Sequence, residues 1–371
     1  MSYIVHHEML KRLQIVSVSY FLIAVLLLLE VSPVYAEELA VLYRGIRPLG
    51  MGNAFTAVSS DENALFYNPA GLKLSSAEKK VALVNPLLEV SDVTLDLNKD
   101  YTTLNKNSPS EVSNFLGKRI GEQHHLRASL FPHIAVPPFA IGILTQVTAD
   151  IAVRNPVFPE METNVRTDIG LLVGGARDFG RGLLGGMTVK YIQREGIVKT
   201  YTATDILNGT FHPENDFKKD ADFAFDLGGM AHLSEWTPLQ KWDPIAGIVL
   251  QNITDLDFGE VGVHPMQLNI GVAIHPEIGW GKSTIAFDLV DLTRRVSEDN
   301  DLGKRTHLGA EFKFKKIVSA RLGFNQGYFT GGLTFDFWFV QLDVATFAEE
   351  LGASFKQRKN RRTVAQLSFG F

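Results

Sequence analysis

Any chemistry this chain performs must come from a short set of residues. It has no cysteine, which excludes a disulfide framework, thiolate metal ligation and a cysteine nucleophile. Gly50-Met51-Gly52 has the glycines of a phosphate loop, but no strand, turn and helix with a third glycine follows at the spacing a dinucleotide needs. His124 and His125 are adjacent, so in a strand they face opposite sides, a poor geometry for one metal ion, and both read as structural. No spacing marks the Ser, His and Asp set that a hydrolase at a barrel rim would use. The densest charge is Lys356-Gln357-Arg358-Lys359-Asn360-Arg361-Arg362, which on a surface loop either attracts phosphorylated lipid by charge pairing or is simply solvated. No catalytic, metal or cofactor site is expected. The residues that matter should be those that shape a passage or close it.

The elements that would position such residues are strands. Of 371 residues, 45% are hydrophobic and 21% charged, and the formal charge of −5 gives no reason to expect a nucleic-acid partner. Lys11 and Arg12 precede an apolar run over 15–29, and Val34-Tyr35-Ala36 supplies small residues for cleavage after Ala36. This order predicts a secretory signal peptide over 1–36 and export through the general secretory pathway; an N-terminal anchor is the alternative, though the run is short for a spanning helix. No other apolar run of helical length follows. Instead Phe223-Ala224-Phe225-Asp226-Leu227, Ile285-Ala286-Phe287-Asp288-Leu289 and 308–314 alternate with a period of two. Asp288, Glu311, Lys313 and Asp343 are charges in mid-strand, costly in a packed core but cheap in a watery lumen. These patterns predict an all-β transmembrane antiparallel barrel of about 14 strands, with 12 as the alternative because no turn residues separate Phe337 from Trp338. A periplasmic β-protein is the other architecture that the pattern allows.

The C terminus sharpens this. Ala365, Leu367, Phe369 and Phe371 share one face of the last strand, and the chain ends on the aromatic. That resembles the terminal-strand signature by which the barrel-insertion machinery of bacterial outer membranes recognises its clients, with Leu367, Phe369 and Phe371 as the insertion signal. If the last strand ends in the periplasm, segments near 98–123, 196–220, 294–303 and 349–362 fall outside the cell, while Pro137-Pro138 and Lys315-Lys316 fall inside; long outside and short inside is the expected asymmetry. A helix is expected in the first outer segment, capped by Ser110, with Val112, Phe115, Leu116 and Ile120 on one face. Trp236 and Trp242 flank Pro238 at an inner turn, where an interfacial belt would place them.

Residues 44–72 do not read as a spanning strand. Arg44-Gly45-Ile46-Arg47-Pro48-Leu49-Gly50-Met51-Gly52-Asn53 is rich in small residues, and Asp61 to Phe66 has room for a short helix before Asn68-Pro69-Ala70-Gly71. A compact stretch ahead of a barrel fits its lumen as a plug. The run Gly50-Met51-Gly52-Asn53-Ala54-Phe55-Thr56-Ala57-Val58, followed by Ala64-Leu65-Phe66-Tyr67-Asn68-Pro69-Ala70-Gly71-Leu72, resembles the N-terminal hatch of the long-chain fatty-acid outer-membrane transporter superfamily (FadL and TodX type), with related openings in PorV-like and TraF-like barrels. The resemblance implies a hatch over 37–78 and a barrel over 79–371. It implies passive uptake of hydrophobic small molecules, long-chain fatty acids or aromatic hydrocarbons, with no cofactor because flow runs down a gradient. Gly50, Gly52, Asn68, Pro69, Ala70 and Gly71 would carry the hatch, and Arg44, Arg47 and Asp61 would latch it to lumen charges. Expected partners are the hydrophobic cargo, outer-membrane lipid including lipopolysaccharide, and the insertion machinery, in a Gram-negative outer membrane. The alternative is a PorV- or TraF-like partner in secretion or conjugation that transports nothing. The chain looks short beside fatty-acid transporters, so no loop residues are carried over.

Overall fold

The period of two in the sequence becomes 14 antiparallel strands closed into a barrel. The computed structural model describes residues 38–39, 41–74, 80–101, 111, 114, 117–155, 160–202, 205, 212–236, 239–279, 281–297, 299–314 and 317–370. The expected signal peptide, Ser110, Val112, Phe115, Leu116, Pro238, Lys315, Lys316 and Phe371 lie outside them. β1 runs as Lys80–Val84 and Leu87–Ser91, and β2 as Gln123–Leu130 and His133–Val136. β3 (Phe139–Arg154), β4 (Glu160–Gly180), β5 (Leu183–Thr202) and β6 (Lys218–His232) are long. β7 (Ile245–Gln251), β8 (Gln267–Ile274), β9 (Gly281–Leu289) and β10 (Thr306–Phe314) follow. β11 (Val318–Asn325), β12 (Tyr328–Phe337), β13 (Val340–Glu350) and β14 (Lys359–Gly370) complete the circuit. β14 pairs back onto β1, Arg362 opposite Ser91 and Gln366 opposite Leu87, so among the described residues the sheet has no free edge. The division expected beside Phe337 is a two-residue turn, Trp338-Phe339, with Trp338 at a φ of 58°. That turn lacks turn-forming residues, which is why the sequence left it ambiguous.

Alternation sorts the side chains. In β6, Phe223, Phe225 and Leu227 face out and Ala224 and Asp226 face in; in β14, Leu367 and Phe369 face out and Val364 faces in. The outward residues form an apolar band, as contact with hydrocarbon requires. β4 and β5 have 21 and 20 residues, where about 9–11 suffice to cross, so they project past the band at one end. Connections differ between the ends. At one, 181–182 and 338–339 are two-residue turns, though 233–244 is longer; at the other, 252–266, 290–305 and 351–358 are loops, though 326–327 is a two-residue turn. Trp236 and Trp242 are exposed at the short-turn end. The first long connection opens with a helix, Asp92–Tyr101, directly after β1, and Glu111, Asn114 and Gly117, in the stretch expected to be helical after Ser110, are helical as well. One expectation needs correction: Arg362 does not belong to a solvated loop, because it sits inside β14, 1% exposed and turned into the lumen.

The mid-strand charges do not all meet open lumen. Asp288, Glu311 and Asp343 point in as expected but are buried, Asp288 and Glu311 against the N-terminal segment, whereas Lys313 is half-exposed and lines, with Asp343, a cavity beside that segment. A one-turn helix, Ile46–Gly50, packs on β11 to β14. A 3-10 turn, Pro69–Lys73, packs on β4 to β6 on the far side. The segment thus spans the barrel from wall to wall. Met51, Phe55, Leu65, Phe66 and Leu72 join inward-facing Leu144, Leu172, Ile192 and Ala224 in one apolar core.

Candidate functional site

The segment across the lumen is built from short capped turns. Asp61 caps Glu62–Leu65 by accepting a bond from the Asn63 N–H at 3.0 Å, and Asn68 caps Pro69–Lys73 by accepting from the Ala70 N–H at 3.2 Å. Proline in the first turn and an oxygen-bearing cap before it favour the second of these locally. Gly52 sits just beyond the Ile46–Gly50 helix at a φ of 62°. A Cβ there would lie 2.4 Å from the Leu308 carbonyl and 2.5 Å from that of Phe324, so only glycine lets this turn touch the wall. On the opposite side, a Cβ on Gly186 of β5 would fall 2.4 Å from the Pro69 carbonyl carbon. Backbone lies against backbone at both walls.

Polar side chains of the wall then take up the segment's backbone groups, which would otherwise be buried and unpaired. Asp288 accepts from the Phe55 and Thr56 N–H groups, each at 2.7 Å. The His307 ring, opposite Asp288 on β10, meets the Gly52 carbonyl at 2.8 Å. Thr330 donates to the Gly50 carbonyl at 3.1 Å, and Gln251 donates to those of Phe66 and Tyr67 at 2.6 and 2.9 Å. The Asn68 amide donates to Thr56 within the segment at 2.9 Å and, at longer range, to the wall carbonyls of Gly229 and Ile248.

Ion pairs add charge to this seating. Arg47 holds Glu311 through two nitrogens at 2.9 and 2.7 Å and Asp61 at 2.8 Å. Arg321 shares the same Glu311 at 2.8 Å. Burial opposes the Arg47 charge, but Glu311 and Asp61 outweigh it, so the guanidinium titrates above its ordinary range. Arg44 pairs with Glu38 and Glu349, each at 3.0 Å, and Arg362 also holds Glu38. Burial opposes the Glu38 carboxylate as well, and the Arg362 and Arg44 guanidiniums overcome it, keeping it well below the usual carboxylate range. Arg44 and Arg47 therefore reach the wall carboxylates Glu349 and Glu311, whereas the ion pair of Asp61 is with Arg47 of the same segment; Gly50, Gly52, Asn68, Pro69, Ala70 and Gly71 make the close contacts. Sequence reading missed Glu38, Gln251 and His307. Asp288 and Glu311 stood out as mid-strand charges, but nothing in the sequence gave their partners.

Beneath the segment, toward the short-turn end, lies a cavity of about 760 Å³. Arg47, Asp61 and Tyr43 form part of its roof, Phe131 and His133 part of its side, and Trp338 its mouth. Here the wall is irregular. β1 breaks at Asn85-Pro86 and β2 at Phe131-Pro132, at the same level. The Asn85 side chain bridges the gap like a detached peptide, accepting from the Phe131 N–H at 2.7 Å and donating to its carbonyl at 2.8 Å. Tyr43, Phe66 and Phe131 cluster behind it, with ring centroids 4.5 to 5.6 Å apart.

A closed barrel with an apolar outer band and its own N-terminal segment seated across the lumen defines the outer-membrane β-barrels that carry an internal plug. Among solved structures, the fold is that of the FadL-type channels. The toluene transporter TbuX of Ralstonia pickettii matches with a TM-score of 0.52 and 12% identity, over 88% of this chain and 97% of that one. The monoaromatic hydrocarbon channel CymD matches with a TM-score of 0.50 and 12% identity, over 89% and 97%. A TodX deltaS2S3 mutant, also a monoaromatic hydrocarbon channel, gives 0.51 and 10%, over 88% and 99%. No protein-family model matches the chain. No curated protein matches it either.

Proposed function

We propose that this protein is an outer-membrane channel for the passive uptake of hydrophobic small molecules, closed in this state by the hatch over residues 44–72. The observation that carries the reading is the hatch itself: its seat is made of reversible hydrogen bonds and ion pairs, and an open cavity adjoins it. The hydrocarbon channels of like fold support the same reading. In a Gram-negative outer membrane the long loops face outside, cargo arrives there, and the cavity faces the periplasm. The aromatic cluster behind the broken strands supports release sideways past Asn85, where two adjacent strands lack regular pairing. Aromatic hydrocarbons and long-chain fatty acids are the cargo classes. Lys359 and Arg361, which face outward at the loop end of β14, suit contact with phosphorylated outer-leaflet lipid. The test is uptake of toluene and of oleate into vesicles containing the purified protein. Faster entry than into empty vesicles is expected; equal rates for both would sink the reading.

One observation favours a second reading. Phe337, Trp338 and Phe339 form an exposed aromatic tip at the short-turn end, with Trp338 91% exposed. A tip of this kind suits a periplasmic protein partner, as an assembly barrel would need. Co-purification of a complex that is lost on Trp338→Ser, together with absent uptake, would favour it.

A further inference from the structure

The connection between β7 and β8, residues 252–266, does not project from the barrel. It contains a small hairpin, Leu256–Asp257 against Val263–His264, and a 3-10 turn, Gly259–Val261. Leu256, Phe258 and Val261 are at most 2% exposed and belong to the same apolar core as the N-terminal segment. The loop is folded back into the lumen mouth, against inward-facing residues of β5 and β6.

One wall residue clamps it. Arg194 of β5 is 1% exposed and paired with Asp168 of β4 at 2.6 and 3.0 Å. Its remaining capacity is spent on the loop: a nitrogen meets the His264 ring at 2.8 Å, another reaches the Val261 carbonyl at 3.5 Å, and the guanidinium lies 4.3 Å from the centre of the Phe258 ring. From β6, Asp222 accepts from the Asp257 N–H at 2.8 Å.

We propose that loop 252–266 is a second gate, in series with the hatch, and that a hydrophobic molecule opens it where a polar solute does not. The physical argument is one of differential binding. Lifting the loop exposes Leu256, Phe258 and Val261 and the apolar wall they cover, which water opposes. An apolar molecule can occupy the vacated surface beside Ile192 and Ala224 and recover that burial, and an aromatic one can replace the Phe258 ring over Arg194. A sugar or an ion recovers neither. The loop thereby acts as a solubility filter ahead of the hatch. Its role in transport rests on the uptake reading above; its closure by Arg194 does not.

The chain lacks cysteine, so a single Val261→Cys gives a clean probe in the full-length protein in vesicles. Labelling by a membrane-impermeant maleimide should be slow, and should rise about tenfold or more when Arg194→Gln or Phe258→Ala loosens the clamp, in proportion to the open population. Toluene should raise it too, and glucose should not. Phe258→Ala leaves no buried charge behind, so it serves if Arg194→Gln does not fold. Unchanged labelling in both variants and with toluene overturns the gate. In a second arm, Asp222→Cys with Asp257→Cys ties the loop to β6. The oxidised form should block toluene uptake and the reduced form restore it. Uptake at the parent rate through the tied protein also overturns the gate and leaves the channel reading standing. Labelling that responds to the clamp while no form takes up toluene overturns the channel reading instead.

Discussion

Arg47 joins the hatch helix, the hatch turn at Asp61 and the wall at Glu311. Removing Arg47 takes a cation from Asp61 and one from Glu311, which keeps Arg321, so the loss should not exceed the roughly 3–5 kcal/mol of breaking a buried pair. Arg47→Ala should therefore unseat the hatch without dismantling the barrel, since no strand ladder depends on it. In planar bilayers the variant is expected to show frequent open events where the parent is quiet, while its mobility on unheated detergent gels stays that of a folded barrel. Arg47→Lys, which keeps the charge but loses the two-pronged contact, should fall between. A variant as quiet as the parent would show that the hydrogen bonds accepted by Asp288 and donated by Gln251 and Asn68 hold the hatch unaided. The expectation that Arg44, Arg47 and Asp61 latch the segment to lumen charges came from their types; that Arg44 and Arg47 reach Glu349 and Glu311 while Asp61 pairs with Arg47 came only from the folded chain.

At the scale of elements, the loops decide what the ends of the barrel do. Loop 290–305 is tied by Asp299, which pairs with Lys304 at 2.6 Å and Arg305 at 2.8 Å. Burial would raise the Asp299 carboxyl, but hydrogen bonds from Lys304, Ser297 and Arg305 prevail and hold it at about 2, below its ordinary 3.8. A depressed carboxyl gives stability that is complete above its unfolded value and is lost as pH falls through its folded one. Loop 290–305 should thus stay closed at neutral and mildly acid pH and loosen only between 3.8 and about 2. Hydrogen exchange of its amides, corrected for the intrinsic effect of pH, reads this; loosening already at pH 5 would contradict it. The strands themselves were largely legible, because a period of two with unlike faces is written in side-chain type. The breaks at Asn85-Pro86 and Phe131-Pro132 carry a visible proline signal, yet their alignment on neighbouring strands depends on register, which no single segment encodes.

For the molecule as a whole, barrel and hatch are stabilised by different means: the barrel by a closed ladder and an apolar outer band, the hatch by its fit to an inner wall. Deleting residues 37–74 should then leave a barrel that still migrates differently before and after boiling but conducts steadily. A deletion protein that aggregates or loses this heat-dependent mobility would show that the wall needs its contents, as the buried Asp288 would lose its donors and Glu311 would be left with Arg321 but without Arg47.

By itself the sequence determined the strand periodicity, the outward apolar faces, the presence of a small-residue segment ahead of the barrel and the asymmetry of the two ends. These are local properties, fixed by residue type and spacing over a few positions. Tertiary structure alone decided that Asp288 and Glu311 face a packed segment rather than open lumen, that Arg362 turns inward to Glu38, and that loop 252–266 folds into the mouth under Arg194. Each of these joins residues far apart in the chain, and such pairs form only once closure of the barrel brings opposite walls within reach of one another.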